Sequence, residues 1–328
     1  MKAIIWTKYG PPEGLQLRDV QKPVPKAHEV LVRVHATTVT AGDCEVRSLK
    51  MPLMLGLPVR LYAGLYRPKR LTILGQELSG VIEAVGENIS KFKAGDAVFG
   101  TPGFSMGAYA EYACVSLKPD AGVLAFKADK ISFEEAAALP VGGFEALHFL
   151  RAANLQNGER ILINGAGGSI GTIAVQLARH YRAEVSAVDS ADKLELLRSL
   201  GAQHLIDYTR EDFTARGETY DVIFDVVGKS HFTRSMEILN PGGRYLLGNP
   251  RVASMLRGAL MSKDSTKKVI TATSTYNEED LLTLQELVAS GVIKIVIDRR
   301  YPLEETADAH SYVESGQKKG HVVIKVTK

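Results

Sequence analysis

The chain has little of what marks several classes of protein. Only two of its 328 residues are cysteine, Cys44 and Cys114, and they lie too far apart in sequence to form a metal-type pair. A disulfide framework is therefore not implied, and a reducing compartment, the cytoplasm, is expected. The eight histidines show no metal-ligand spacing, so they predict no metal site.

An excess of charge of one sign is also absent. Forty Lys and Arg against 37 Asp and Glu leave a net charge of +3, without a lysine- or arginine-rich stripe. Nucleic acid is therefore not expected as a partner. The most apolar stretch, residues 51–66, is interrupted by Pro, Gly and Arg and is too short to predict a transmembrane segment. Residues 1–8 are predicted to form a first β-strand rather than a signal peptide.

What the chain does contain is a glycine turn between two apolar segments. Residues 161–164 are typical of a buried strand, and a helix is expected to begin near Ser169. Glycine allows a sharp turn and lets main-chain N–H groups approach a pyrophosphate, which the positive end of the helix then faces. Gly171 makes the spacing one residue longer than the standard dinucleotide fingerprint. The predicted phosphate-binding residues are Gly165, Gly167, Gly168, Ser169 and Ile170.

A second apolar run, residues 184–188, ends at Asp189, roughly 20 residues beyond the glycines. A carboxylate at this position accepts hydrogen bonds from the ribose hydroxyls of NAD(H) and repels the 2′-phosphate of NADP(H). Ser190 and Lys193 could still hold a phosphate. We therefore expect NAD(P)H as the cofactor, with NADH favoured.

The predicted elements divide the chain into two parts. Residues 1–122 are rich in strand-like patterns, including the alternating run at 29–35 and a further run at 108–113. From a capping-box pattern at 132–135 onward, strands and helices alternate, which indicates a parallel doubly wound sheet. The sequence thus predicts an α/β fold, with a Rossmann-type dinucleotide-binding domain over 123–291 and a β-rich domain over 1–122 that 292–328 rejoins.

Several segments in order resemble the medium-chain dehydrogenase/reductase superfamily, specifically its zinc-free quinone oxidoreductase (ζ-crystallin-like) branch. The most specific are Gly-Gln-Glu-Leu-Ser-Gly-Val-Ile-Glu-Ala-Val-Gly at 75–86 and Lys-Ala-Gly-Asp-Ala-Val at 93–98. The resemblance covers nearly the whole chain. It implies that the β-rich part is a GroES-like catalytic domain and that the protein is a homodimer, paired through an edge strand such as Lys268–Thr273.

The departures from the superfamily concern zinc. Where its zinc-dependent alcohol dehydrogenases have a histidine ligand this chain has Gln76, a cysteine position corresponds to Thr40, and residues 140–147 contain no cysteine. Glu77 alone cannot hold zinc, so no metal is expected. Without a metal to polarise an oxygen, the acceptor must be activated by its own conjugation. The implied substrate is a small hydrophobic quinone or another conjugated carbonyl.

Candidate catalytic residues are those expected in the substrate pocket. Solvent or a pocket hydroxyl would deliver the proton, the hydroxyl candidates being Thr40, Tyr62 and Tyr66, and Asp43 is expected beside them. Further cofactor contacts follow from the resemblance: Tyr208, Val227, Gly228, Gly248 and Asn249. Glu145 stands where relatives often have threonine, which puts a contact there in doubt.

Two other functions remain open. One is a metal-free enone, enoyl-thioester or carbonyl reductase. The other is a nicotinamide-binding protein of structural or regulatory role with negligible turnover. Residues 51–70, apolar and accompanied by cations, also have three interpretations: a lid over the acceptor, a dimer contact or a peripheral membrane contact.

Overall fold

The computed structural model describes residues 1–51, 53–228, 230–248, 266–271 and 275–327, with the backbone alone for 53–55. These residues form two compact units. The first comprises Met1–Val141, Tyr276–Ala289 and Ile297–Lys328, and the second comprises Gly142–Thr275 and Ser290–Val296. None of the described helices has the length and apolar character that crossing a bilayer requires.

The first unit is rich in β-structure. Its strands are β1 (Lys2–Trp6), β2 (Leu15–Asp19), β3 (Glu29–Thr38), β4 (Leu78–Val85), β5 (Ala97–Thr101), β6 (Tyr112–Ser116), β7 (Val123–Phe126), β14 (Ile297–Pro302) and β15 (His321–Lys325). β1 and β2 form an antiparallel pair, and the others form a seven-stranded sheet in the order β14-β15-β3-β4-β5-β7 with β6 on β3. Val30, Val32 and Val34 of β3 pack with Leu78 and Val98 in its core.

Five helices accompany these strands in the described part of the first unit. They are α1 (Ala41–Ser48), α2 (Leu53–Ala63), α3 (Phe133–Ala137), α8 (Glu278–Ala289) and α9 (Thr306–Glu314). The α3 helix begins with the capping box expected at 132–135, since the Ser132 hydroxyl accepts from the Glu135 N–H and the Glu135 carboxylate accepts from the Ser132 N–H.

The strand expected at 108–113 is wrong in its first four residues, because β6 begins only at Tyr112. The preceding residues are irregular and make single contacts with different segments. The Tyr109 N–H donates to the Leu74 carbonyl, and the Tyr109 carbonyl accepts from Ile4. Gly107 has a φ of +105°, which interrupts an extended strand.

The second unit is built on six parallel strands. They are β8 (Arg160–Asn164), β9 (Glu184–Asp189), β10 (His204–Asp207), β11 (Tyr220–Asp225), β12 (Leu239–Leu247) and β13 (Lys268–Ile270), and the helices are α4 (Pro140–Ala152), α5 (Ser169–His180), α6 (Ala191–Leu200) and α7 (Phe232–Glu237). The strand order is β10-β9-β8-β11-β12-β13. This is the 3-2-1-4-5-6 order of dinucleotide-binding folds, so the predicted fold class is confirmed.

The two units do not divide at the residues the sequence suggested. Residues 123–141 and 276–289 belong to the first unit, whereas the sequence assigned them to the dinucleotide-binding domain. The Gln285 side-chain oxygen accepts from the Ala128 N–H at 2.7 Å, which joins these two segments within the first unit. The functional domain boundaries stay a prediction.

Candidate active site

The reversal of strand order lies between β8 and β11, and the glycine turn follows β8 directly. Gly165 has a φ of +84°, a conformation that glycine enters without strain. A Cβ on Gly171 would lie 2.4 Å from the Gly165 carbonyl oxygen, so only glycine lets α5 approach the turn this closely. The α5 helix begins at Ser169, with Gly168 as its N-cap, and the N–H groups of a helix's first turn point out of its N-terminus. The geometry fits a pyrophosphate, which the dipole of the twelve-residue helix would stabilise.

Asp189, at the end of β9, is tied to this turn. Its Oδ2 accepts from the Gly167 N–H at 2.7 Å, and its Oδ1 accepts from the Ser190 N–H at 2.9 Å. Lys193 Nζ lies 3.1 Å from Oδ1, and the two side chains are 9% and 7% exposed. A Cβ on Gly167 would meet Lys193 Cδ at 2.5 Å, so the lysine stem lies against the turn. The structure thus brings these predicted residues together, but with the carboxylate already engaged.

Asp225, which was not among the residues predicted from the sequence, fixes the turn at the end of β11, as Asp189 fixes the glycine turn from the end of β9. It is 1% exposed. Its Oδ1 accepts from Asn164 Nδ2 at 2.9 Å and from the Gly228 N–H at 3.0 Å. Its Oδ2 accepts from the hydroxyls of Ser230 at 2.6 Å and Tyr245 at 3.0 Å. Burial, followed by the Asp225 charge, raises the pKa of the Tyr245 hydroxyl, which therefore stays a donor. The sequence does contain one signal that could have identified Asp225: like Asp189, it is an acidic residue at the end of an apolar run.

The turn that Asp225 fixes contacts the glycine turn. A Cβ on Gly165 would lie 2.6 Å from Val227 Cγ1, and Gly248 donates its N–H to the Asp225 carbonyl at 3.0 Å. Tyr208 is 60% exposed, and its N–H donates to the Asp189 carbonyl at 3.2 Å. The predicted contacts therefore lie along one edge of the sheet, except Asn249, which falls outside the described residues. Their role in cofactor binding stays a prediction.

In the first unit, Thr40 and Asp43 form the capping box that begins α1. Asp43 Oδ2 accepts from the Thr40 N–H at 2.9 Å and from the Thr40 hydroxyl at 2.7 Å. Gln76 Nε2 donates to Thr40 Oγ1 at 3.2 Å. Asp43 is wholly buried, and burial raises the pKa of its carboxyl to about 6. Thr40, which is 8% exposed, is the member of this pair nearer to solvent.

The donor set at this position does not fit zinc. Zinc takes imidazole, thiolate or carboxylate ligands, whereas Gln76 presents its amide nitrogen to a threonine hydroxyl. Cys44 Sγ instead lies 3.3 Å from His310 Nδ1, and burial raises the pKa of the thiol. Within the described ranges, no three His, Cys, Asp or Glu side chains form a group that could hold a metal.

Glu77 has a role that the sequence did not indicate. It is 1% exposed. Its Oε1 accepts from the Thr38 hydroxyl, and its Oε2 accepts from the Val141 N–H at 2.8 Å, at the first turn of α4. Burial raises the pKa of Glu77 to about 7. This carboxyl group therefore caps a helix.

The remaining candidates, Tyr62 and Tyr66, lie at the surface of the first unit and are 52% and 88% exposed. Among the described residues, neither one hydrogen-bonds to the Thr40–Asp43–Gln76 cluster. The structure therefore brings Thr40 and Asp43 together but leaves the two tyrosines on α2 and the loop after it. Their catalytic role is an open prediction.

Two protein families match the chain in the order that the fold requires. Residues 26–123 match the alcohol dehydrogenase GroES-like domain, and residues 200–324 match the zinc-binding dehydrogenase family. The second match spans residues 200–324 and therefore includes neither Thr40 nor Gln76.

Individual relatives cover nearly the whole chain. The 2-methylene-furan-3-one reductase of Solanum lycopersicum is 33% identical over 99% of this chain and 79% of its own length. The quinone oxidoreductase of Coxiella burnetii has a TM-score of 0.88 at 31% identity, over 100% of this chain and 99% of that one. The Escherichia coli quinone oxidoreductase, solved with NADPH, has a TM-score of 0.82 at 26% identity, over 99% and 100% of the two chains.

The raised pKa of Glu77 predicts how stability depends on pH. In the unfolded chain this carboxyl titrates near 4.5, and in the folded protein near 7. The folded state therefore binds the proton more tightly, and the stability that this contributes is lost as the pH rises through about 7. Replacing Glu77→Gln removes the titration. The unsubstituted protein should lose stability between about pH 5 and pH 8, whereas the variant should not. We therefore expect the free energy of unfolding of the variant minus that of the unsubstituted protein to increase by about 2 kcal/mol over this range.

The measurement is urea denaturation at several pH values. Glu83→Gln is the matched control, since Glu83 lies on β4, the strand that directly follows Glu77, but is 38% exposed in a pair with Lys22. A pH-independent difference for Glu77→Gln, equal to that of the control, would contradict the prediction.

Proposed function

Because the chain belongs to the quinone oxidoreductase branch of the medium-chain dehydrogenase/reductase superfamily, and is an oxidoreductase, we propose that it reduces quinones and conjugated enones with NAD(P)H. The Solanum relative reduces a methylene-furanone, which is a conjugated enone, and the bacterial relatives are quinone oxidoreductases. These relatives do not favour a saturated carbonyl substrate or a protein without turnover.

One observation carries the choice of acceptor: a hydrogen-bonded amide, Gln76, occupies the position where a metal-dependent relative would have its histidine ligand. An amide N–H that donates to a hydroxyl supplies no Lewis acid. We propose that turnover needs no metal and that the acceptor's own conjugation delocalises the charge left by hydride transfer. The bound nicotinamide would supply the hydride, and the protein would supply orientation and exclusion of water.

Thr40 is our candidate for delivering the proton. Its hydroxyl donates to Asp43 at 2.7 Å. The Asp43 carboxyl, whose pKa burial raises to about 6, carries a proton for part of the time near neutral pH. When Asp43 carries that proton, its O–H can donate to Thr40 Oγ1 across the same contact, which leaves the Thr40 O–H to donate to the substrate. The Thr40 hydroxyl then regains from Asp43 the proton that it gives up.

For the cofactor we propose NADH. The Asp189 carboxylate already binds the Gly167 and Ser190 N–H groups and pairs with Lys193. An ionised carboxylate has about four lone-pair sites, so it retains capacity for a ribose hydroxyl. A 2′-phosphate would instead bring a second negative charge to Lys193 and would be repelled by Asp189.

We also propose a cytoplasmic homodimer. Two free cysteines, one of them buried, suit a reducing compartment. In the described part of the six-stranded sheet β13 is an edge strand, so its outer N–H and C=O groups are available to a second copy. Thr273, in the strand predicted for pairing, lies outside the described residues.

The first prediction concerns the acceptor. Purified protein should oxidise reduced nicotinamide with a quinone or an enone at a kcat/KM at least about 100-fold above that for saturated aldehydes and ketones. Adding EDTA should leave these rates unchanged, because no step depends on a metal. Rates are followed by the absorbance of the reduced nicotinamide. Equal activity on saturated carbonyls, or its loss on chelation with recovery on adding zinc, would refute the proposal.

The role of Thr40 is tested in the same assay. Thr40→Val should lower kcat about 10- to 100-fold, whereas Thr40→Ser keeps both the hydroxyl and the helix cap and should retain most activity. Unfolding curves of both variants separate loss of the cap from loss of the proton donor. Full activity of a folded Thr40→Val variant would leave solvent as the donor.

Cofactor preference gives the next prediction. The unsubstituted protein should use NADH at least about fivefold better than NADPH by kcat/KM. Asp189→Asn keeps an acceptor for the Gly167 N–H but removes the charge, so the NADPH to NADH ratio should rise about tenfold. Adding Lys193→Gln to this variant should reverse the gain.

Asp192→Asn is the matched control, since Asp192 is an exposed acid three residues further on, in the first turn of α6. It should leave the ratio unchanged. A tenfold preference of the unsubstituted protein for NADPH would show that Asp189 does not select the cofactor.

The last prediction of this group is the oligomeric state. Light scattering coupled to gel filtration should give twice the mass of the 35.6 kDa chain. Val269→Pro removes a backbone N–H in the middle of β13 and should weaken pairing if this edge forms the contact. A monomer at micromolar concentration would contradict the dimer.

A further inference from the structure

The exposed apolar side chains of the described structure are concentrated in one short stretch. Five of the thirteen large hydrophobic side chains that face solvent fall within ten residues of sequence: Leu57, Leu61, Tyr62, Leu65 and Tyr66. Leu57 and Leu61 lie one turn apart on α2 and are 47% and 59% exposed. We call these five residues the α2 patch. A concentration of this kind marks a surface that a partner covers.

The α2 patch is accompanied by charge of one sign only. From residue 46 to 76 the chain contains no Asp or Glu. It does contain six cations, of which Arg47 is buried and paired with Glu314. The five exposed cations of this stretch are Lys50, Arg60, Arg67, Lys69 and Arg70. The whole chain carries only +3, so positive charge is concentrated in this segment of the sequence.

These cations are not consumed by ion pairs. Among the described residues, no carboxylate lies within ion-pair distance of Lys50, Arg67, Lys69 or Arg70. The fifth, Arg60, donates its Nε–H to the Leu65 carbonyl at 2.8 Å, which holds the loop after α2. The apolar side chains are therefore flanked by cations whose charge is free to meet anions outside the chain.

The base of the patch is firmly attached to the first unit. Ala63 is wholly buried, and its carbonyl accepts from the N–H groups of Lys69 and Arg70 at 2.8 and 3.0 Å. The Tyr9 hydroxyl donates to the Gly64 carbonyl. These hydrogen bonds fix the loop that follows α2, so the leucines and cations of the patch belong to a segment that is attached at its C-terminal end.

We propose that the α2 patch docks on an anionic lipid surface, with its leucines and tyrosines at the level of the headgroups and its cations on the phosphates. Tyrosine favours this interface because its ring is apolar and its hydroxyl stays hydrated. Lysine and arginine near an anionic leaflet add electrostatic attraction to the apolar contact. The proposal is independent of the proposed reductase activity.

Two other occupants are less favoured by the charges. A second copy meeting the patch about a two-fold axis would place the same cations opposite each other, without carboxylates between them. A protein partner would need an acidic, apolar groove of matching shape, whereas a bilayer needs no shape complementarity. Contact between two copies appears among the outcomes of the test.

The test is co-sedimentation of the full chain with vesicles. Phosphatidylcholine mixed with phosphatidylserine should bind at least about fivefold more protein than phosphatidylcholine alone at low salt, and added salt should reduce the difference. The Arg67→Gln, Lys69→Gln, Arg70→Gln triple variant should lose this selectivity. The Leu57→Ser, Leu61→Ser double variant should lower binding to the anionic vesicles about tenfold.

Matched controls change the same chemistry elsewhere on the first unit. Phe104→Ser removes a side chain that is 89% exposed, and the Lys93→Gln, Lys118→Gln, Lys130→Gln triple variant removes three exposed cations. Both should bind as the unsubstituted protein does. Reduction of a water-soluble quinone should be unchanged in the leucine variant, so failure of the proposed reductase and failure of docking are seen separately.

Three outcomes would overturn the proposal. One is absence of sedimentation with anionic vesicles at low salt. Another is equal binding to neutral and anionic vesicles by both the unsubstituted protein and the cation variant. The third is an oligomer in solution that the leucine double variant dissociates, which would assign the α2 patch to contact between copies.

Discussion

Two buried carboxylates organise the carboxyl edge of the parallel sheet. Asp189 and Asp225 each end a strand, and each accepts the N–H of a glycine, Gly167 and Gly228 respectively. A charge taken out of water costs several kcal/mol unless hydrogen bonds or an opposite charge compensate it. Each carboxylate therefore requires its turn to stay in place. The two turns are held before any cofactor arrives, which is the preorganisation that orientation-dependent chemistry needs.

The first unit uses buried carboxyl groups for a different purpose. Asp43 caps α1, and Glu77 accepts hydrogen bonds from the Thr38 hydroxyl and from the Val141 N–H in the first turn of α4. Burial raises the pKa of both carboxyl groups toward neutrality. Both groups can therefore hold a proton near neutral pH.

The glycine turn was predictable because its cause is local. Gly165 has a positive φ, a conformation that glycine adopts more readily than residues with a Cβ. The absence of zinc ligands at Thr40 and Gln76 was likewise visible in the sequence, since a ligand is defined by its residue type. By contrast, the role of Glu77 depends on Val141, 64 positions away, and the Asp225 network joins three strands. A single sequence does not show which distant residues such contacts join.

The sequence by itself determined the order of strands and helices, the glycine turn and the residue types at positions 40 and 76, because periodicity, backbone freedom and ligand chemistry are properties of single residues or of neighbours in sequence. Only the tertiary structure decided that Asp189 binds the glycine turn and pairs with Lys193. It also decided that Asp43 is buried while Tyr66 is exposed, and that residues 276–289 join the first unit. The physical reason is that burial and pairing depend on which distant segments pack together, and that packing sets both the hydrogen bonds and the proton affinity of each group.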